Sequence, residues 1–216
     1  MSPPPKPGRR RPVEVRPLER RDFPRVERIC LETYPTAPPW GDAYLNKHLE
    51  VFPEGQLVAV DPDTQAVLGY AATLIVNWNR FERLDSWFTI TDNGWFTTHD
   101  PGGETLYAAE VMVDAHARGQ GVGKALYAAR RALLERLGLE RIRAGARLRG
   151  YSKHAAYLTP EHYVQKVVAG ELSDPTLSFQ LRQGFRVIAI APYYLPGDPE
   201  SLGHAAIIEW RPDMTK

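Results

Sequence analysis

Seven consecutive residues near the middle of this 216-residue chain, Arg118-Gly119-Gln120-Gly121-Val122-Gly123-Lys124, have the make-up of an anion-binding turn. Glycines let the backbone approach a ligand closely. Where such a turn opens a helix, unpaired N–H groups and the helix dipole both favour phosphate. The flanking residues supply that frame. Leu106 to Val113 is a short apolar run that reads as a buried strand. Val122, Leu126, Ala129, Leu133 and Leu137 repeat at helical spacing, and Gly138 stands where a helix C-terminal glycine belongs. Three nucleotide motifs compete for the turn. A Walker A loop requires glycine at 118 and Ser or Thr at 125, where the chain has Arg118 and Ala125. A dinucleotide fingerprint requires a small residue at 124, where Lys124 stands, and it does not follow an antiparallel hairpin halfway along a chain. The pattern that survives is Arg118-x-x-Gly121-x-Gly123.

That pattern resembles the pyrophosphate loop of the GNAT superfamily of coenzyme A-dependent N-acyltransferases. The preceding strand Glu110-Val111-Met112-Val113, the amphipathic helix that follows, and a Gly184-Phe185 pair at a later helix-to-strand junction extend the likeness from about Val13 to Trp210. Three segments, Glu110 to Val113, Arg147-Leu148-Arg149-Gly150-Tyr151 and Asp174 to Leu181, are similar to the GNAT-type domain fused to nitrilase-like amidohydrolases in some proteins. The resemblance implies acetyl-CoA as acyl donor, no metal, and an amine acceptor, either a small molecule or a peptide. It implies that main-chain groups of Val111, Met112 and Val113 bind the pantetheine arm, one N–H polarising the thioester carbonyl. The pyrophosphate is expected on Arg118, Gly119, Gln120, Gly121, Val122, Gly123 and Lys124.

The attacking amine must be neutral, so a base or water chain has to take its proton. Glu110 on the motif strand is the first candidate; His99, Asp100 and Glu104 just upstream are alternatives, and His116 reads as a surface turn residue. The chain departs from the family at one position. Many members carry a tyrosine four residues before the Gly-Phe pair, placed to protonate the departing thiolate, and here that position is Gln180. Tyr151, with Tyr157 and Tyr163 in the same insertion, is the expected substitute. The alternative is a non-catalytic acyl-CoA-binding module.

These residues must be held by a larger frame. The sequence predicts a first strand at Val13 to Pro17, a helix capped by Asp22 and running to Thr33, and a second helix from Asp42 to Leu49. A hairpin of Gln56 to Val60 and Val67 to Val76 turns through Asp61-Pro62-Asp63-Thr64. Arg141 to Leu148 is a strand, Pro160 to Ala169 a helix capped by Thr159, and Leu177 to Gln183 a short helix. Phe185 to Ala191 and Ala205 to Trp210 are the last strands. The sum is an α/β (α+β) fold, a mixed, mostly antiparallel sheet of six or seven strands with about four helices. Residues 13–216 read as a single GNAT-type domain behind a Pro/Arg-rich, disordered tail, 1–12, which includes Arg9-Arg10-Arg11.

Residues 77 to 104 show no period and hold Trp78, Phe81, Trp87, Phe88, Trp95 and Phe96. They read either as an amine cage or, more simply, as a small satellite core. Lys+Arg 27 against Asp+Glu 26 gives no electrostatic case for nucleic acid or an anionic membrane. No apolar run approaches the roughly 20 residues of a membrane span. The single cysteine, Cys30, sits on an apolar helix face and reads as a packed thiol; it fits a reducing, cytoplasmic setting. Family members are often dimers, so the resemblance admits a homodimer.

Overall fold

The computed structural model describes residues 12–35, 38–81 and 85–215. The Arg9-Arg10-Arg11 tail lies outside the described residues. Seven strands form one sheet: β1 (Glu14–Pro17), β2 (Leu57–Val60), β3 (Val67–Val76), β4 (Thr105–Val113), β5 (Arg141–Arg147), β6 (Arg186–Ala191) and β7 (Ala205–Trp210). Their order across the sheet is β1-β2-β3-β4-β5-β7-β6. All neighbours are antiparallel except β4 and β5. The α-helices among the described residues are α1 (Phe23–Thr33), α2 (Asp42–Val51), α3 (Trp87–Thr91), α4 (Val122–Leu137), α5 (Pro160–Val168) and α6 (Leu177–Arg182).

The helices divide between the two faces. Phe23, Val26 and Ile29 of α1, Leu45 of α2 and Ile90 of α3 pack with Tyr70, Leu74, Tyr107 and Ile207. Tyr127 and Leu134 of α4, Tyr163 and Val167 of α5 and Leu177 of α6 pack with Leu106, Ala144, Ala146 and Ile208. Coverage on both faces explains why β2 and β3 read as unbroken apolar runs and are buried along almost their whole length. β5 alternates instead, burying Ile142, Ala144 and Ala146 against the α4 side.

Two expectations change. Asp22 precedes α1, but its carboxylate makes no cap bond to that helix. It accepts from the Glu19 N–H at 2.9 Å and from Arg16 at 2.7 and 2.9 Å, so it ties β1 to the chain entering α1. The aperiodic segment 77–104 holds α3, only five residues long and therefore too short to leave a periodic signature. Thr159 does cap α5, accepting from the His162 N–H at 3.3 Å, and Gly138 closes α4 in the left-handed conformation.

Candidate functional site

β4 is irregular at two points, and together they open the sheet. Glu110 pairs with Ala72 of β3 and Ala108 with Thr73, so Ala109 is an extra residue opposite no partner. Such a bulge bends the strand that carries it. On the other side, β4 and β5 pair only at Thr105–Arg141, Leu106–Ile142 and Tyr107–Arg143. Beyond those pairs β4 continues to Val113 and β5 to Arg147 without a ladder between them. The edge of β4 from Ala108 onward therefore leaves main-chain groups free of β5.

The bulge is held by side chains from distant parts of the chain. Arg130 of α4 is fully buried. It donates from Nη2 to the Glu110 carbonyl at 2.8 Å and the Ala72 carbonyl at 3.1 Å, and from Nε to Thr73 Oγ1 at 3.0 Å. Its Nη1 is buried without a hydrogen-bond partner among the described residues. From the opposite face, the Trp87 indole N–H donates to the Ala109 carbonyl at 3.0 Å.

The Glu110 carboxylate sits on the α1 side, half-buried. Tyr34 Oη donates to its Oε1 at 3.0 Å, and the Val111 N–H donates to the same oxygen at 2.9 Å. Burial raises the Glu110 pKa above the ordinary carboxylate value, against the opposing pull of Tyr34, the Val111 amide and the Arg147 and Arg130 charges. Arg147 lies 5.5 Å from the Tyr34 ring centroid. It is anchored by Asp198 at 3.4 Å and Glu200 at 2.5 Å on the loop between β6 and β7. Tyr194, from the same loop, fills the space left by the missing side chain of Gly145 and hydrogen-bonds Tyr107.

After β4 the chain makes a tight turn. Asp114 accepts from the His116 N–H at 2.7 Å and pairs with Arg25 of α1. Gly119 (φ +75°) and Gly121 (φ +97°) take left-handed conformations, and Gly121 is the N-cap of α4. A Cβ on either glycine would meet nothing within 4 Å. The turn is thus a cradle of main-chain N–H groups in front of open space, with exposed Arg118 and Lys124 beside it. That is the fit an acyl-CoA pyrophosphate requires: donors in a concave turn, positive charge at the rim, and no side chain in the way. Gly123 has a different duty, since a Cβ there would meet the Phe179 ring of α6 at 3.0 Å.

The structure therefore brings Glu110, Val111, Met112 and Val113 together along the open edge of β4, running directly into the Arg118–Lys124 turn. Val111 points to the α4 side and Met112 to the α1 side. Tyr151 stands apart, buried in the insertion after β5. Its hydroxyl donates to the Leu158 carbonyl at 3.0 Å, and its ring packs on Tyr163 and His204. Tyr163 Oη donates to Asp174 at 2.9 Å, and Tyr157 Oη is 2.8 Å from His154 Nδ1. The alternative bases are also committed. His99 Nδ1 accepts from the Ile75 N–H at 3.1 Å, Asp100 pairs with Arg80 and Glu104 with Arg141. His116 is exposed.

Most of the aromatic segment forms core. Phe96 is fully buried and stacks on His48, with centroids 3.9 Å apart, and Trp40 stacks on Trp87 at 6.2 Å. Phe88 and Trp95 stay exposed. Cys30 is buried in the same cluster, and burial pushes its thiol up to about 11. Sequence reasoning missed Tyr34, Trp87, Arg130 and Arg147. In the sequence Trp87 figures only as one aromatic of its segment and Arg147 only within a family-like stretch; the signal for Arg130 is an arginine on the buried face of α4.

An acyl-CoA-type turn joined to a bulged, splayed β4 defines the class. The chain belongs to the GNAT acetyltransferase family, whose pattern matches residues 14–157. Among similar proteins is one from Bacillus subtilis (strain 168) named Uncharacterized N-acetyltransferase YkwB. It is 33% identical over 203 residues, which cover 92% of this chain and 88% of that protein. Another from the same organism, named Probable hydrolase YhcX, is 36% identical over 207 residues, 94% of this chain. The chain spans only 40% of the length of that relative. Among solved structures, the GphF GNAT-like decarboxylase in complex with isobutyryl-CoA shares the fold. Its TM-score is 0.74 at 22% identity, over 92% of this chain and 98% of that one. A GNAT superfamily phosphinothricin acetyltransferase from Sinorhizobium meliloti in complex with AcCoA has a TM-score of 0.57 at 15% identity, covering 92% and 88%.

Proposed function

We propose that the chain is an N-acyltransferase that takes an acyl group from acetyl-CoA and places it on a primary amine, a small molecule or a peptide, by direct attack. The observation that carries this reading is Glu110: a half-buried carboxylate of raised pKa, one residue past a bulge and on the opened edge of β4. A base works best when its pKa lies near the working pH, and desolvation moves Glu110 in that direction. Arg118, Lys124 and the amides between them hold the pyrophosphate, and Val111 to Val113 line the arm that leads to the thioester.

The shared bond at Glu110 Oε1 links the two halves of the reaction. While Glu110 is ionised it occupies the Val111 N–H. When it takes the amine proton its grip on that amide weakens, and the N–H is released toward the oxyanion that forms at the same moment. An oriented donor of this kind supplies about 2.7–4 kcal/mol to the transition state.

The test is calorimetry with acetyl-CoA followed by thiol release on adding a mixed amine library. Binding with amine-dependent release is expected. Arg118→Glu should abolish binding, because it sets a carboxylate beside the phosphates. Glu110→Gln should keep binding and reduce turnover about 100-fold. Binding without release from any amine would sink the transferase reading, and a full-rate Glu110→Gln would move the base elsewhere.

A further inference from the structure

The catalytic scheme above lacks a donor for the leaving sulfur. Gln180 occupies the position where related chains carry a tyrosine, and an amide has no proton of suitable acidity to give. The three tyrosines of the insertion do not replace it: Tyr151 donates to Leu158, Tyr163 donates to Asp174, and Tyr157 is exposed beside His154. A fourth tyrosine is placed differently. Tyr127 lies on the buried face of α4, less than two turns past the acyl-CoA turn, and its hydroxyl is 3.1 Å from Gln180 Nε2. In that bond Gln180 donates, so the hydroxyl hydrogen of Tyr127 is not spent on it. Among the described residues it is the only hydrogen bond to that hydroxyl.

We infer that Tyr127 is the acid that protonates the departing thiolate, and that Gln180 is the positioning residue that turns its O–H toward the sulfur. The inference rests on the transferase reading. The surroundings fit the role. Phe179 and Phe185 pack edge-on against the Tyr127 ring, at 5.7 and 5.5 Å, and fix its plane. Arg130, one turn along α4, lies 5.5 Å from the same ring and binds the Glu110 carbonyl on β4, so Tyr127 stands beside the bulge on the α4 side. Two buried polar atoms next to Tyr127 have no protein partner among the described residues, Gln180 Oε1 and Arg130 Nη1. Buried polar groups are nearly always satisfied. These two open groups, the Gln180 amide at the hydroxyl and the Arg130 guanidinium over the ring, mark a place where a polar group of the substrate enters. Burial raises the Tyr127 pKa, partly offset by the nearby Arg130 charge and the Gln180 bond, so the phenol keeps its proton until a thiolate demands it.

The step balances. The amine nitrogen bonds to the thioester carbon, and the carbon–sulfur bond breaks with its electron pair on sulfur. Tyr127 gives its proton to that sulfur, Glu110 passes the nitrogen proton to solvent, and the tyrosinate recovers a proton from solvent.

Tyr127→Phe keeps the ring and removes only the hydroxyl. Turnover with acetyl-CoA should fall about 100-fold, with acetyl-CoA affinity unchanged and the alkaline limb of the pH–rate profile lost. Tyr157→Phe serves as the control and should change nothing. A binding measurement separates this inference from the transferase reading. At about pH 9, where a thiol of pKa near 8.5 is largely ionised, the wild type should bind coenzyme A about tenfold more tightly than desulfo-coenzyme A. Tyr127→Phe should bind the two alike. Gln180→Leu should show part of both losses. If wild-type discrimination and turnover persist in Tyr127→Phe, the assignment is overturned while the transferase stands. If discrimination is lost in Tyr127→Phe but no amine is acylated by the wild type, the contact stands and the transferase reading fails.

Discussion

The Arg118–Lys124 turn and the Glu110 bulge are eight residues apart in the chain, yet they are built on opposite plans. The turn is made of backbone: Gly119 and Gly121 are left-handed and their missing side chains face open space, while of its glycines Gly123 alone is packed closely, against Phe179. The bulge is made of side chains brought from elsewhere. Tyr34 reaches Glu110 across 76 residues, Arg130 reaches Thr73 across 57, and Trp87 reaches Ala109 across 22. Phosphate needs N–H donors, which every residue except proline can offer, so a local turn suffices. A carboxylate of raised pKa needs desolvation and selected partners, which only packing provides. The first region should therefore carry binding with little stability, and the second stability together with chemistry.

Arg130→Met tests the second half most severely. Methionine fills much of the volume, but the Ala72 and Glu110 carbonyls and the Thr73 hydroxyl lose their buried donor. Replacing a whole buried ionic cluster by apolar groups is often neutral; stranding the partners of one charge is not. The expected loss is about 4 kcal/mol, a fall of about 10 °C in Tm, read by calorimetric melting. A drop of under 2 °C would show that the bulge holds itself.

His48 provides the next largest effect. It is fully buried between Trp40 and Phe96, its Nε2 2.6 Å from the Gly94 carbonyl, and burial pulls its pKa down to about 4. The unfolded chain takes up this proton near pH 6.5, and the folded one only near 4. Stability from the neutral ring is therefore complete above 6.5 and lost as pH falls toward 4, by about 3 kcal/mol. Melting temperatures across that window should slope accordingly in the wild type and flatten in His48→Asn. An unchanged slope would assign the titration to other groups.

This division also explains what could be read in advance. The turn was legible because its requirement is for glycine at fixed spacing, between a strand and a helix of clear period. β2, β3, α4 and β7 were legible for the same reason: each has a local pattern matching its burial. Glu110 could be nominated from its strand alone. Its partners could not, because nothing near Tyr34, Trp87 or Arg147 in sequence distinguishes them from ordinary aromatic and basic residues. Segment 77–104 was opaque because α3 is five residues long and Trp87, Trp95 and Phe96 answer to Trp40, Tyr44 and His48, which lie far away in sequence. Tyr127 lies outside the apolar repeat of α4 and carries no signal in the sequence; its contact with Gln180 is what distinguishes it.

Gly121→Ala probes the first half. The left-handed backbone costs an L residue about 1–2 kcal/mol, and the open space around a new Cβ adds no clash. Stability should fall only by that strain, while acetyl-CoA affinity drops at least tenfold because the methyl group enters the phosphate cradle. Equal losses in calorimetric binding and in melting would mean that the turn is structural after all.

Trp87→Phe is the smallest change and the sharpest discriminator, because Trp87 touches the bulge without touching the turn. Phenylalanine keeps most of the stacking on Trp40, and the main-chain bond from residue 87 to the Tyr194 carbonyl is unaffected. Only the indole N–H to the Ala109 carbonyl is removed. One such neutral bond is worth about 1 kcal/mol, or a Tm shift of about 2–4 °C. Its effect on turnover should be larger than on binding, since Ala109 precedes Glu110 and its carbonyl sets the angle at which the carboxylate leaves β4. A several-fold loss of turnover at unchanged acetyl-CoA affinity is expected. Should affinity fall as far as turnover, the bulge would be shaping the cofactor side of β4 as much as the amine side, and binding and chemistry would share one structural origin.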